Sequence, residues 1–177
     1  MTPTGGRSQS VAPDSENIAA ATVDRRKSEF WICILILVIA AAYGNSFRGA
    51  FVFDDIPSIL ENESIRNVAD SLNPPGTGLT TSGRPLLNLT FAFNYAVSGP
   101  APWSFHLLNL LVHGAAAFTL LAIIARTLRR TKLRAPIVAE APWLAWAIAL
   151  LWALHPLQVE SVTYIVQRAE SLAALFY

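Results

Sequence analysis

The first residues with the makings of a reaction are the adjacent carboxylates Asp54-Asp55. Two neighbouring carboxylates repel each other, which raises one pKa and can make a general base. The same pair could ligate a divalent cation, Mg or Mn, or could cap the apolar periodic run that follows it. Arg84, in Ser82-Gly-Arg-Pro-Leu86, could grip a lipid phosphate through its planar fork or simply snorkel to headgroups. A third group runs from His155-Pro-Leu-Gln-Val-Glu160 to Gln167-Arg-Ala-Glu170. If that stretch is helical, Glu160, Tyr164 and Arg168 recur at i, i+4 and i+8 and share a stripe, with Val159, Val162 and Val166 as an apolar face. Acid, phenol and guanidinium on one stripe could hold a phosphorylated, hydroxylated ligand, or Glu160 and Arg168 could satisfy each other. His106, Asn109 and His113 also share a helical face, but the histidines stand about 10 Å apart, too far to chelate one ion. Bonding across helices is the reading for that trio.

The elements that must position these groups are set by where charge is missing. Only 14% of the 177 residues are charged and 53% are hydrophobic, whereas a soluble domain carries about 25% charge. Charge-free runs extend over Phe30–Phe47, Pro85–Ala125 and Ala141–Val159. A helix needs about 20 apolar residues to cross the hydrocarbon core. These runs exclude a soluble enzyme and predict an all-α, multi-spanning membrane protein. The predicted spans are about 30–47, 103–125 and 141–155, with a fourth, 171–177, cut short at the last residue. Between them lie predicted loops 48–102, 126–140 and 156–170, after a disordered tail over 1–28. Ala40 to Ala42 mimics a signal-peptidase site, but the long tail before it fits an uncleaved anchor. Leu86 to Val97 is apolar yet too short to span, which suits an interfacial or re-entrant helix. Ile59 to Ala69 has helical apolar spacing, and Asn62-Glu-Ser64 and Asn88-Leu-Thr90 match the glycosylation pattern.

Charge distribution orients these elements. Nine of thirteen Lys and Arg residues fall in the tail and in the link Arg126 to Arg134. Basic flanks stay cytoplasmic, so both clusters are expected inside. Loops 48–102 and 156–170 are then expected outside together, with Asp54, Arg84 and the His155 to Glu170 group on one side. The net charge of +1 offers no case for nucleic acid, and one cysteine, Cys33, allows no disulfide within the chain.

The order of the motifs carries more than any one of them. Tyr43-Gly-Asn-Ser-Phe47 precedes Phe51-Val-Phe-Asp-Asp55, then Gly83-Arg-Pro-Leu86, Asn88-Leu-Thr90 and Phe93-Asn-Tyr95. Pro102-Trp-Ser-Phe-His106, Asn109-Leu-Leu-Val-His113, His155-Pro-Leu-Gln-Val-Glu160 and Gln167-Arg-Ala-Glu170 follow. From Phe30 onward the chain resembles the N-terminal part of the transmembrane and tetratricopeptide-repeat proteins and their bacterial O-mannosyltransferase-like relatives, within the GT-C glycosyltransferases. The resemblance implies inverting transfer of a sugar, typically mannose, from a polyprenyl-phosphate carrier to Ser or Thr hydroxyls of exported proteins, in a bacterial inner membrane or the endoplasmic reticulum. It maps Asp54 and Asp55 onto the catalytic acidic motif of the first outer loop. Arg84 and Arg168 become candidates for the donor phosphate, and His155, Glu160 and Glu170 support from the second loop. No cofactor is implied with certainty, and a divalent metal at the Asp pair stays open. About three and a half spans of a fold that needs many more implies a chain inactive by itself. A non-catalytic membrane anchor for helical repeats is the competing expectation. A cation transporter ranks below both, because the charge-free runs hold no acidic residue.

Overall fold

The structure, a computed structural model, describes residues 15–76, 79–130 and 140–176. The chain divides into two compact units, Met1–Ile34 and Leu35–Tyr177. Helix α1, Ser15–Tyr43, begins in the first unit and ends in the second. It starts well before the apolar run, so the expected disordered tail is helical from Ser15. Ala19, Ala20 and Ala21 are strong helix formers and extend a helix that the apolar run propagates. Residues 1–14, the rest of that tail, lie outside the described residues, as do 131–139 of the expected cytoplasmic link.

In the second unit, α1 runs into a 3₁₀ turn, Gly44–Arg48, where Ser46 Oγ donates to Tyr43 O (2.7 Å) and Gly49 N–H to Ser46 O (2.8 Å). Gly49 is glycine for space: a Cβ there would stand 2.9 Å from the buried His106 Nε2. The first loop then folds into short turns: a π turn at Ile56–Leu60 and 3₁₀ turns at Glu63–Arg66 and Asp70–Leu72. The single helix suggested by the spacing of Ile59 to Ala69 is therefore broken. Its cause is Asn62, whose side chain accepts from Ser64 N–H (3.1 Å) and so competes with a helical ladder.

Helix α2, Pro85–Ser98, matches the predicted short apolar helix. Proline suits its first turn, and Gly99, at φ +58°, closes it by donating to Tyr95 O (2.7 Å). Helix α3, Trp103–Arg130, is the longest fully described element and ends in Arg129 and Arg130, which suit a helix C-terminus. Helix α4, Ala141–Ala153, stops before His155-Pro156 because proline disfavours helix at the residue before it. Pro156–Gln158 is a 3₁₀ turn, α5 is Val159–Thr163, Ile165–Gln167 is another turn, and α6 is Arg168–Phe176.

Two helices, Glu29–Arg48 and Trp103–Arg130, are long and apolar enough to cross a membrane. Ala141–Ala153 reaches that standard only together with Pro156–Thr163 across a 59° bend. At 1.5 Å per residue its 13 residues cover about 20 Å, short of a bilayer core of about 30 Å. Against the three full spans expected, the count is two, or three if the bent pair acts as one. Among the described residues there is no strand, so the all-helical class stands.

The core gathers both loops around α2 and α3. Ile59 and Ile65 from the first loop pack with Leu87, Phe91 and Ala92 of α2, Phe105 of α3, and Ile165 and Val166 of the second loop. Each buried aliphatic or aromatic side chain of this kind contributes about 1.5–3 kcal/mol by leaving water.

Candidate active site

Backbone geometry makes the acidic pair. Asp55 N–H donates to Val52 O (2.9 Å), closing a tight turn with Phe53 and Asp54 at its corner. Phe53 has φ +46°, the only positive φ on a non-glycine among the described residues. That conformation costs on the order of 1–3 kcal/mol. The turn sends the two carboxylates to opposite environments. Asp54 is exposed, and Asp55 has no exposed surface.

Asp55 bridges the two loops. Its Oδ2 accepts from Val52 N–H (3.1 Å) and its Oδ1 from Val166 N–H (2.9 Å). Burial pushes its carboxyl above the ordinary value of 3.8, against the lowering effect of these backbone bonds, and the charge of Asp54 adds to the rise. Beside it, Asp54 N–H donates to Tyr164 Oη (3.3 Å). Burial, with the charges of Asp54 and Asp55, raises the Tyr164 phenol above its usual range and keeps it protonated at neutral pH.

Arg168 lies beneath this junction with no exposed surface. Its Nε donates to Asn109 Oδ1 (2.7 Å), Nη1 to Asn94 Oδ1 (2.7 Å) and Thr90 Oγ1 (3.0 Å), and Nη2 to Phe105 O (2.8 Å). The guanidinium also stands 4.8 Å over the Phe91 ring. Burial pulls its pKa down to about 9, partly offset by the Asp55 carboxylate, which leaves it charged at neutral pH. With four N–H groups engaged inside the protein, Arg168 offers no face to a phosphate in this arrangement.

The helical stripe expected for Glu160, Tyr164 and Arg168 does not form. Tyr164 is extended (φ −101°, ψ 111°) between α5 and the next turn. The break leaves Glu160 exposed, brings the Tyr164 hydroxyl to Asp54 and turns Arg168 inward. Val162 and Val166 are buried as the apolar face required, but Val159 is exposed. A signal for the break was present: Val159, Val162, Thr163, Ile165 and Val166 are β-branched and weaken a helix.

Of the remaining candidates, Arg84 and Glu170 come together, with Nη2 3.9 Å from Oε1. Both are at least half exposed, so the pair is worth about 0–1 kcal/mol and can open. They stand at the mouth of a groove of about 400 Å³ walled by Leu86, Leu87, Leu172 and Phe176. His155 caps the turn after α4, its Nδ1 accepting from Leu157 N–H (3.3 Å). No hydrogen bond or ion pair on the described residues joins the side chains of His155 and Glu160 to the Asp pair. The cross-helix reading of the α3 trio holds. Asn109 Nδ2 donates to Tyr164 O and Ile165 O (both 3.3 Å), and His113 Nε2 lies 3.0 Å from Ala153 O. Thr90 and Asn94, four residues apart on one face of α2, entered the sequence reading only as members of motifs, and their shared role in holding Arg168 was missed although their spacing placed them together.

The donor set is a poor fit to a metal clamp at the Asp pair, because Asp55 is fully buried with each oxygen already accepting a backbone N–H, which leaves Asp54 as the one open carboxylate of the two. Among the described residues no three His, Cys, Asp or Glu side chains gather to hold an ion.

No family model matches the chain, and no solved structure matches it. Curated sequences do. The chain is 33% identical over 164 residues to protein O-mannosyl-transferase TMTC3 of Mus musculus, covering 82% of this chain and 16% of that protein. It is 35% identical over 156 residues to protein O-mannosyl-transferase Tmtc2 of Drosophila melanogaster (82% and 15%). It is 32% identical over 163 residues to protein O-mannosyl-transferase TMTC4 of Mus musculus (84% and 22%). The chain thus spans no more than about a fifth of these relatives' length. Over about four fifths of its residues it is a relative of the TMTC proteins.

Proposed function

We propose that this chain is the part of a membrane glycosyltransferase that activates the acceptor, in transfer of mannose from a polyprenyl-phosphate donor to Ser or Thr hydroxyls of exported proteins. The observation that carries the reading is the junction at the turn over Val52 to Asp55, where an exposed carboxylate is held beside a protonated phenol by a buried one. Asp54 takes the proton of the acceptor hydroxyl as its oxygen attacks the anomeric carbon. The bond from that carbon to the phosphate oxygen breaks, and the lipid phosphate leaves with the electron pair. Attack from the face opposite the leaving group inverts the anomeric centre.

The other residues divide by environment. Asp55 is a positioning residue that joins the two loops through Val166 N–H. Arg168 positions α2 and α3 beneath them. Arg84, exposed and loosely paired with Glu170, is a cation free to meet the donor phosphate, which would displace Glu170. His155 supports the second loop by capping its first turn. No step is assigned to a metal.

The test is transfer of mannose from polyprenyl-phosphate-mannose to an exported acceptor by the full-length protein that carries this sequence. Asp54→Asn should lower kcat about 10²–10⁴-fold, the usual worth of a general base, with the protein still folded. Unchanged transfer by that variant would remove Asp54 from the chemistry.

A further inference from the structure

Phe53 is the residue that the proposed chemistry leaves unused and the fold has least reason to tolerate. It occupies the first corner of the turn closed by Asp55 N–H and Val52 O, at φ +46°. Turns with a positive φ at that corner favour glycine, asparagine or aspartate, and a bulky side chain there is an outlier. The ring earns nothing back from the core. It is 82% exposed, whereas Phe51, two residues earlier, packs edge-to-face on Phe105 with centroids 5.4 Å apart. An aromatic side chain is thus held on a strained backbone, in the open, next to Asp54.

We infer that Phe53 is the stacking platform for the pyranose ring of the donor sugar. The inference rests on the transferase reading and deepens it by naming what the site holds. A ligand here must present polar groups to the Asp54 carboxylate and the Tyr164 hydroxyl, and an apolar face to the ring one residue away. A pyranose has both, hydroxyls around its rim and C–H groups on its face. The C–H groups carry the partial positive charge that the face of an aromatic ring attracts. A lipid tail matches the ring but not its neighbour. Drawing the Phe53 corner into hydrocarbon would pull an exposed carboxylate towards the membrane interior, where charge is costly.

The experiment uses the full-length protein in liposomes with polyprenyl-phosphate-mannose, varying donor and acceptor separately, for Phe53→Gly, Phe53→Leu and Phe53→Trp. Phe53→Gly relieves the strained corner, so thermal stability should stay level or rise. Its donor KM should rise roughly tenfold, the loss of one modest contact, with acceptor KM unchanged. Phe53→Trp should keep the wild-type donor KM. Phe53→Leu, apolar but without a π face, should behave like Phe53→Gly. An unchanged donor KM in Phe53→Gly, restoration by Phe53→Leu, or a shift confined to acceptor KM each overturns the inference. If Asp54→Asn abolishes transfer while Phe53→Gly leaves donor KM alone, stacking falls and the transferase reading stands. Donor binding to Asp54→Asn protein, with and without Phe53→Gly, gives the converse separation. Binding that weakens with the glycine supports stacking whatever the role of Asp54, and a wild-type protein that neither binds nor transfers overturns both.

Discussion

Asp54 and Asp55 are neighbours with opposite surroundings, so replacing them should have separable consequences. Asp55→Asn keeps one carbonyl oxygen for two backbone donors and turns an N–H₂ towards the other. That leaves a buried group unsatisfied and should cost about 1–3 kcal/mol, read as a lower Tm with catalysis falling only as folding does. Asp55 also carries a pH signature. Burial holds its folded carboxyl above 3.8, so between 3.8 and the raised value the folded chain binds more protons than the unfolded one. Its contribution to stability therefore falls as pH rises through that interval and is flat above it. Tm measured across acidic pH should show this slope in the wild type and lose it in Asp55→Asn; the same slope in both would assign it to another group. Only part of this was legible beforehand. The acidic pair and its place beside the apolar run could be read from the chain, but which carboxylate is buried depends on Val166 N–H, and a backbone donor leaves no mark in sequence. Arg168 shows the same gap: its charge suggested a phosphate, while its partners Thr90, Asn94 and Asn109 lie 59–78 positions away.

At the scale of elements, the first loop is pinned to α2 by two asparagines. Asn62 Nδ2 donates to Asn88 Oδ1 (2.9 Å) and to Ser58 O (2.9 Å), and Asn88 Nδ2 donates to Ser64 Oγ and to Ser71 O (both 2.8 Å). Both side chains are buried. These are also the asparagines of the two glycosylation tripeptides, so the pattern marks a structural network. Expressed in glycosylating cells, the protein should show no mass change at either site on glycosidase treatment, and Asn88→Ala should lower stability by about 1–3 kcal/mol. A glycan found on Asn88 would mean that the loop is not docked on α2 as described. Apolar spacing was a sound guide to α2, bounded by Pro85 and Gly99, and to the start of α3, which runs past the charge-free residues through Arg126 to Arg130. It failed over Ile59 to Ala69 and over Val159 to Arg168, where side-chain bonds from Asn62 and a β-branched run compete with helix.

Across the whole second unit, one junction sets where helices stop. Tyr43 Oη donates to Ala153 O (2.7 Å), the same carbonyl that His113 Nε2 meets at 3.0 Å, and the His113 ring lies between Tyr43 and Trp152. The last residue of α1 and the last of α4 are thus level with the eleventh residue of α3. From there α3 continues towards Trp103 for ten more residues, about 15 Å, and on that stretch Phe105, His106 and Asn109 receive the two loops. From His113 to Arg130 the helix covers about 26 Å, but its last five residues include Arg126, Arg129 and Arg130, and the charge-free part from His113 to Ala125 covers only about 18 Å. A boundary near His113 is what the docked loops predict, with the basic end of α3 snorkelling to the headgroups, whereas the span read from the sequence starts at Trp103. The Asp55 and Val166 bond further requires loops 48–102 and 156–170 to share a side, whatever the orientation of the chain. In a Cys33→Ala background, Leu107→Cys and Ile123→Cys both put a thiol at an exposed position of α3. A membrane-impermeant maleimide should label Leu107→Cys and Glu160→Cys from one side and leave Ile123→Cys unlabelled. Protection of Leu107→Cys equal to that of Ile123→Cys would return the boundary to Trp103 and sink the loops, with Asp54, into the membrane.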